Sequence, residues 1–295
     1  MSKILYISCH GVLQEDERLL LTELGHEVTV VGFGQMVKPE GYDIIWFMHL
    51  PEYLVANWEY IKHKRVIFRS IGQMVPHQEL MLQPLVAEGL QIVRYSPYEE
   101  TIKDYAGQTA LIRFYKDENI FKGWTGEKEQ VINFTQSLYQ RADYCGYETM
   151  MKVMEPFPHK IYGWNNEPLG QHWGGAVTVE EQVKILQQNR VFFYTGTYPA
   201  SFTLSFIEAM MTGIPIVAVG DELGNGSMFP DQKTYEVTEW LELYSDNVLQ
   251  LQNYIKFLFE DEEIAKEFSV VQRELAISLF GKQKIKKQWE DFLHE

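Results

Sequence analysis

The residues best placed to do chemistry lie in one block, Tyr194-Thr195-Gly196-Thr197-Tyr198-Pro199-Ala200-Ser201-Phe202-Thr203-Leu204-Ser205-Phe206-Ile207-Glu208-Ala209-Met210-Met211-Thr212-Gly213-Ile214-Pro215. An apolar strand runs into a loop of Gly, Thr, Pro and Ser, and the loop opens a helix. The first turn of such a helix offers backbone N–H groups without intrahelical partners and the positive end of the helix dipole, which together suit a phosphate. Ser201 or Thr203 either caps the helix or hydrogen-bonds a phosphate oxygen. The helix is apolar except for Glu208. A lone carboxylate there either accepts hydrogen bonds from a ligand, such as both hydroxyls of a ribose, or reaches out to solvent.

The block resembles the donor-site motif of the retaining glycosyltransferases with the GT-B fold. In that family a strand ends in Pro-Ser and is followed by Glu-Gly-Phe-Gly-Leu, several apolar residues and Glu-Ala-Met-Ala-x-Gly-x-Pro-Val-Val. This chain has Phe202, Leu204, Glu208-Ala209-Met210, Gly213 and Pro215-Ile216-Val217 in those places. The resemblance implies that Glu208 binds the ribose of a nucleotide sugar and that Ser201, Phe202, Thr203 and Leu204 lie along its diphosphate. The chain departs from the pattern where the family has its first glutamate, eight positions earlier, at Ala200. The family assigns that acid to the donor sugar and to charge stabilisation during transfer, and alanine can do neither. The two family glycines are Ser201 and Thr203 here.

The resemblance extends more loosely over most of the chain. Asp117 and Phe121 keep the spacing of the family's entry to its second domain. Val131 to Phe134, with Gln136 and Arg141 after it, lies where the family has its Gly-Arg and Lys-Gly element. A departing nucleoside diphosphate needs a cationic partner, and the resemblance makes Arg141 the first choice for it, with Lys152 second. Gly163, with Trp164 and Asn165, follows a strand that borders the nucleobase in the family. Gly220 to Asn225 resembles the glycine-rich loop facing the donor, which brings in Gly224 and Asn225.

In the first half the candidates rest on position. His10 and Gly11 follow the first strand, at the sheet edge where open α/β folds bind ligands. Gly11, placed with the donor-binding residues, lets an acceptor or a sugar approach closely. His10 either positions a hydroxyl, as a catalytic candidate beside Arg141, or caps a helix. Arg69 and Gln73 repeat the strand-to-loop arrangement and are assigned to the acceptor side.

The elements that must position these residues follow a βα alternation. Strands are expected at Lys3–Ser8, His26–Val31, Asp43–Met48, Arg65–Phe68, Leu90–Arg94 and Thr109–Phe114, with helices at Gln14–Leu24, Tyr53–Lys62 and Gln78–Glu88 between them. A polar, aromatic and glycine-rich stretch from Tyr115 to Glu127 reads as the connector. A second alternation follows, with strands at Gln130–Phe134, Lys160–Tyr162, Val191–Thr195 and Ile214–Val219 and helices at Glu148–Met154, Val179–Gln187 and Phe202–Met211. The expected fold is α/β and GT-B-like, with two Rossmann-like domains facing a cleft. Residues 1–112 form the acceptor-side domain and 113–280 the nucleotide-sugar domain with its connector. Residues 281–295 form a terminal helix that packs back toward the first domain through Trp289 and Phe292. No Gly-x-Gly-x-x-Gly follows the first strand, so a dinucleotide fingerprint is absent.

Composition narrows the function classes. The net charge of −15 repels nucleic acid and anionic lipid at long range. Two distant cysteines, Cys9 and Cys145, make neither a disulfide framework nor a metal-ligand spacing. No zinc, Walker or nucleophile-elbow sequence competes with the phosphate-binding block. The start of the chain lacks signal-peptide order, no apolar run is long enough to span a bilayer, and a cytoplasmic location is expected. The resulting expectation is a glycosyltransferase needing no metal or other cofactor. Its donor would be a UDP-sugar first, with GDP- or ADP-sugars as alternatives, and the acceptor class stays open among small molecules, glycans, proteins and nucleic acids. The other readings are a nucleotide-sugar epimerase, a nucleic-acid glycosyltransferase and a catalytically silent nucleotide-sugar-binding module.

Overall fold

The computed structural model describes residues 1–34, 37–72 and 74–294. The chain divides into two compact units. The first comprises residues 1–115, 231–234 and 283–295, and the second 116–230 and 235–282. The main boundary thus falls at 115/116 rather than at residue 112. The short return at 231–234 has no signature in the sequence.

The first unit is a six-stranded parallel sheet made of β1 (Lys3–Ile7), β2 (Glu27–Val31), β3 (Ile44–Met48), β4 (Arg65–Arg69), β5 (Gln91–Arg94) and β6 (Ala110–Leu111), in the order β2-β1-β3-β4-β5-β6. Helices α1 (Gly11–Glu23), α2 (Pro51–Ile61) and α3 (Pro76–Ala87) connect the strands. A parallel sheet covered on both faces needs strands that are apolar throughout, and every residue of β3 is buried. Trp46 of β3 lies between Tyr6 (5.5 Å between ring centroids) and Trp289 (4.7 Å), so residues 283–294 complete this core. The strand expected over Thr109–Phe114 pairs only at Ala110–Leu111. Beyond it the Ile112 carbonyl is taken by the Arg69 guanidinium (2.6 Å), and Phe114 stacks on Tyr95 (4.6 Å).

The second unit holds β7 (Lys128–Phe134), β8 (His159–Tyr162), β9 (Trp173–Gly175), β10 (Asn189–Tyr194), β11 (Ile216–Val219) and β12 (Tyr244–Ser245), all parallel, in the order β12-β11-β10-β7-β8-β9. Its helices are α4 (Ala142–Cys145), α5 (Tyr147–Met154), α6 (Val179–Gln188), α7 (Leu204–Thr212), α8 (Asp221–Asn225), α9 (Val248–Glu260) and α10 (Glu262–Phe280); α11 (Lys282–His294) then carries the chain into the first unit. Thr178 and Glu181 form a reciprocal capping box that starts α6. Helix α7 begins at Leu204, two residues later than its apolar pattern suggests. Thr203 is still extended (φ −115°, ψ 166°), and Phe202 is drawn into an aromatic cluster with Trp240 and Phe280, each 5.3 Å away. Among the described residues no helix is long and apolar enough to cross a membrane.

Candidate functional site

In the second sheet the chain steps outward one way through β7, β8 and β9 and the other way through β10, β11 and β12. Loops leaving neighbouring strand ends diverge at such a reversal and open a crevice on the C-terminal side of the sheet. A cavity of about 480 Å³ lies there, walled by Thr195 after β10, Val219 of β11, Gly146, Tyr147 and Thr149 at the start of α5, and Leu223 and Ser227. Small-molecule sites commonly have this size. No side chain caps α5, so its first-turn N–H groups give this wall an anion-favouring end. Asp143 and Glu148 stand on the same wall, and Glu148 is ion-paired to Lys152 at 2.8 Å. Thr195 ties the wall together by donating its hydroxyl to the Cys145 carbonyl at 2.6 Å.

Arg141 occupies the N-cap of α4, next to the lining residues Ala142 and Asp143. Its side chain is half-buried and donates one long hydrogen bond, 3.4 Å, to the Gln136 carbonyl. Its positive charge reaches the Cys145 thiol: burial pushes that thiol up, and Arg141 pulls it partly back. Lys152, the second cationic candidate, lies on the surface with Glu148.

In the block at residues 194–215, the Thr203 and Glu208 side chains find their partners within the protein. Thr203 is the N-cap of α7, but its hydroxyl pairs with Ser205 Oγ (3.0 Å) rather than capping the helix. Ser201 is buried, and its carbonyl accepts the Glu236 N–H at 3.3 Å. Phe202 is buried in its aromatic cluster, and Leu204, half-buried, opens the helix. Glu208 is 6% exposed and has a third environment, neither of the two its position suggests. Its Oε1 is 2.7 Å from Lys116 Nζ, and its Oε2 accepts a hydrogen bond from Gln182 Nε2 at 2.5 Å. Each carboxylate oxygen keeps a further lone pair, so ribose hydroxyls would share these oxygens rather than find them bare. Ala200 is buried at the foot of the loop, its N–H donating to Thr197.

The two glycine candidates of the second unit, Gly163 and Gly224, are tightly packed. A β-carbon on Gly163 would lie 2.6 Å from the Thr135 carbonyl oxygen, and φ is +136°. Only glycine lets the loops after β7 and β8 come this close. Its carbonyl accepts from Trp173 Nε1 at 2.9 Å. Gly224 packs against the Tyr235 ring, and the Asn225 amide is spent on the backbone, accepting from Tyr235 N (2.9 Å) and donating to Asp221 O (2.7 Å). Their neighbours Leu223 and Gly226 line the cavity instead.

In the first unit, His10 caps α1, its Nδ1 accepting from Leu13 N at 3.3 Å, and Gly11 is exposed with open space around it. Arg69 is fully buried. Its guanidinium meets Glu17 Oε1 (2.8 Å) and the Ile112 carbonyl and lies over the rings of Phe114 and Trp289. That places it in the core of the first unit. Gln73 lies outside the described residues.

Several residues at the site escape a sequence reading. Gly146 was signalled only by preceding a short helix, and Thr195, although inside the block, only by ending its apolar strand. Asn166, fully buried, fixes the loop after β7 by donating to Thr135 O (2.6 Å) and accepting from Leu138 N (2.7 Å). Lys116 and Gln182, which hold Glu208, carry no local signal at all. Among the described residues no group of three or more His, Cys, Asp or Glu is arranged to hold a metal ion.

No family model and no curated protein matches this sequence. The fold is nevertheless shared along the whole chain with solved structures. The chain is similar to HepE of Anabaena in complex with UDP-glucose (TM-score 0.73, 14% identity, 100% of both chains). It is similar to a glycosyltransferase of Rickettsia africae (TM-score 0.72, 11% identity, 98% of this chain and 97% of that one). It also resembles an α-glucosyltransferase in complex with UDP-glucose and DNA containing an abasic site (TM-score 0.63, 12% identity, 100% of both chains). At these identities the likeness establishes the architecture, two Rossmann-like domains of the GT-B kind.

Proposed function

We propose that this chain transfers a sugar from a nucleoside diphosphate sugar, a UDP-sugar in the first instance, to a hydroxyl acceptor, with retention of anomeric configuration and without a metal. The observation that carries the reading is the cavity at the ends of β10 and β11. It sits at the reversal point of a Rossmann-type sheet, in a fold shared end to end with structures holding UDP-glucose. In the proposed step the acceptor oxygen bonds to the anomeric carbon as the bond from that carbon to the diphosphate breaks. The acceptor proton passes to a diphosphate oxygen. Arg141 and the amide-rich starts of α5 and α7 stabilise the charge that develops on the leaving group, and Glu208 takes the ribose. Calorimetry with UDP, GDP and ADP tests the donor site, and release of UDP from UDP-glucose tests turnover. Binding of none of the three nucleotides overturns the reading. NMR of the new glycosidic bond tests retention.

Ala200 favours a second reading, a module that binds nucleotide sugars without transferring them, because it leaves no carboxylate where the resembled family keeps one. Tight binding of UDP-glucose with no UDP release across an acceptor panel would decide for that module.

A further inference from the structure

His49 follows β3 directly, at the point where the first sheet reverses between β1 and β3. Its N–H donates to the Arg69 carbonyl at the end of β4 (2.9 Å). On the other side, the end of β1 approaches the preceding residue through Ser8 Oγ and Met48 Sδ, 3.3 Å apart. Two features set His49 apart. It has φ +60°, and Leu50 after it has φ +57°, so two consecutive non-glycine residues stand in the left-handed region. Its side chain is only 6% exposed, yet Nδ1 has no hydrogen-bond partner among the described residues. Backbone strain and an orphaned buried nitrogen both oppose folding, and they coincide at a strand-order reversal, where open α/β sheets commonly bind ligands, which calls for a functional explanation.

We propose that His49 is a ligand contact of the first unit, its imidazole hydrogen-bonding a sugar hydroxyl. On the glycosyltransferase reading, on which this role rests, that hydroxyl belongs to the acceptor. Burial lowers the His49 pKa to about 4 against the opposing pull of Glu52, so the ring is neutral at physiological pH. A neutral imidazole offers one donor and one acceptor. That pair matches a hydroxyl, which is also both, and does not match a phosphate, which calls for a cation. The fully buried strand before His49 and the proline-started helix after it fix the ring's place on rigid elements.

The test uses the full chain labelled with ¹⁵N-histidine, whose ring nitrogens are followed by long-range NMR during titration with D-glucose, D-galactose, D-mannose and, separately, inorganic phosphate. The His49 signals are identified by their loss in His49→Asn. A saturable shift of these nitrogens by at least one hexose, and none by phosphate, is expected. No response to any hexose, or a response to phosphate alone, overturns the proposal. His49→Ala is expected to weaken hexose binding by about tenfold. His49→Asn tolerates the left-handed backbone and keeps an amide atom near the place of Nδ1, so it should recover affinity to within about threefold. Unchanged hexose affinity in the alanine variant also overturns the proposal. UDP calorimetry on the same samples keeps the two readings apart, because failure to bind UDP rejects the donor site while the hexose response at His49 still decides this one.

Discussion

Replacing Lys116 by methionine keeps the length of the side chain and removes its charge, leaving the Glu208 carboxylate buried with Gln182 alone. The pair it breaks is 2.7 Å long, and its two side chains are 6% and 8% exposed. At an effective dielectric of 20, unit charges about 4 Å apart attract by about 4 kcal/mol, and removing one partner of a buried pair typically costs about 3–5 kcal/mol. The remaining hydrogen bond from Gln182 retains part of this, so Lys116→Met should destabilise the protein by about 3 kcal/mol, the low end of that range. For a protein of this size that lowers Tm by about 6–12 °C. Urea unfolding and scanning calorimetry would be run on the parent, Lys116→Met, Glu208→Leu and the double variant. If the two residues act as a pair, the double variant should be more stable than the sum of the single losses predicts, by about 2 kcal/mol. A Lys116→Met protein within about 0.5 kcal/mol of the parent, an ordinary surface effect, would mean that the buried pair adds no stability. In a separate variant, Glu208→Gln should weaken UDP binding by about tenfold or more if the carboxylate also holds a ribose, as read by calorimetry.

Three further outcomes follow from the geometry. Because the folded pKa of His49, about 4, lies below the ordinary 6.5, its neutral ring contributes stability that is complete above pH 6.5 and is lost as pH falls toward 4. The loss is about 3 kcal/mol at 1.36 kcal/mol per pH unit, and urea unfolding from pH 7 to 4 should show His49→Asn with a correspondingly flatter profile; identical slopes would contradict this. Gly163→Ala places a β-carbon against the Thr135 carbonyl at a positive φ, and a destabilisation of more than about 2 kcal/mol is expected in thermal unfolding. Arg141→Ala gives up a single 3.4 Å hydrogen bond, so Tm should hardly move, while turnover of UDP-glucose drops by about ten- to hundredfold; normal turnover removes Arg141 from the proposed step.

The alternation of elements was legible because parallel strands buried on both faces read as unbroken apolar runs, as Ile44–Met48 does. The edge strands Trp173–Gly175 and Tyr244–Ser245 are too short to carry any period. The start of α7 was misplaced because Phe202 is apolar for a reason outside the helix, its contacts with Trp240 and Phe280. At the candidate site the sequence singled out the block at residues 194–215 by its residue types but could not supply the partners of its side chains. Glu208 is answered by Lys116 and Gln182, residues far from it in the chain. Gly224 entered through the resemblance to a loop facing the donor, whereas in the structure the group packed against it is the Tyr235 ring. His49 carries no signal in the sequence, since an orphaned nitrogen is a property of packing.

The place of Trp289 bears on how the protein is made. The first unit takes in residues 283–295, and Trp289, 1% exposed, lies against Trp46 of its central strand. Domains are usually finished in the order in which they leave the ribosome. Here the first sheet must wait, with Trp46 uncovered on one side, until the second unit has been translated, an interval of about ten to thirty seconds at ordinary elongation rates. A nascent chain paused before residue 283 would therefore show a protease-sensitive first unit, and its protection would come only with the last helix.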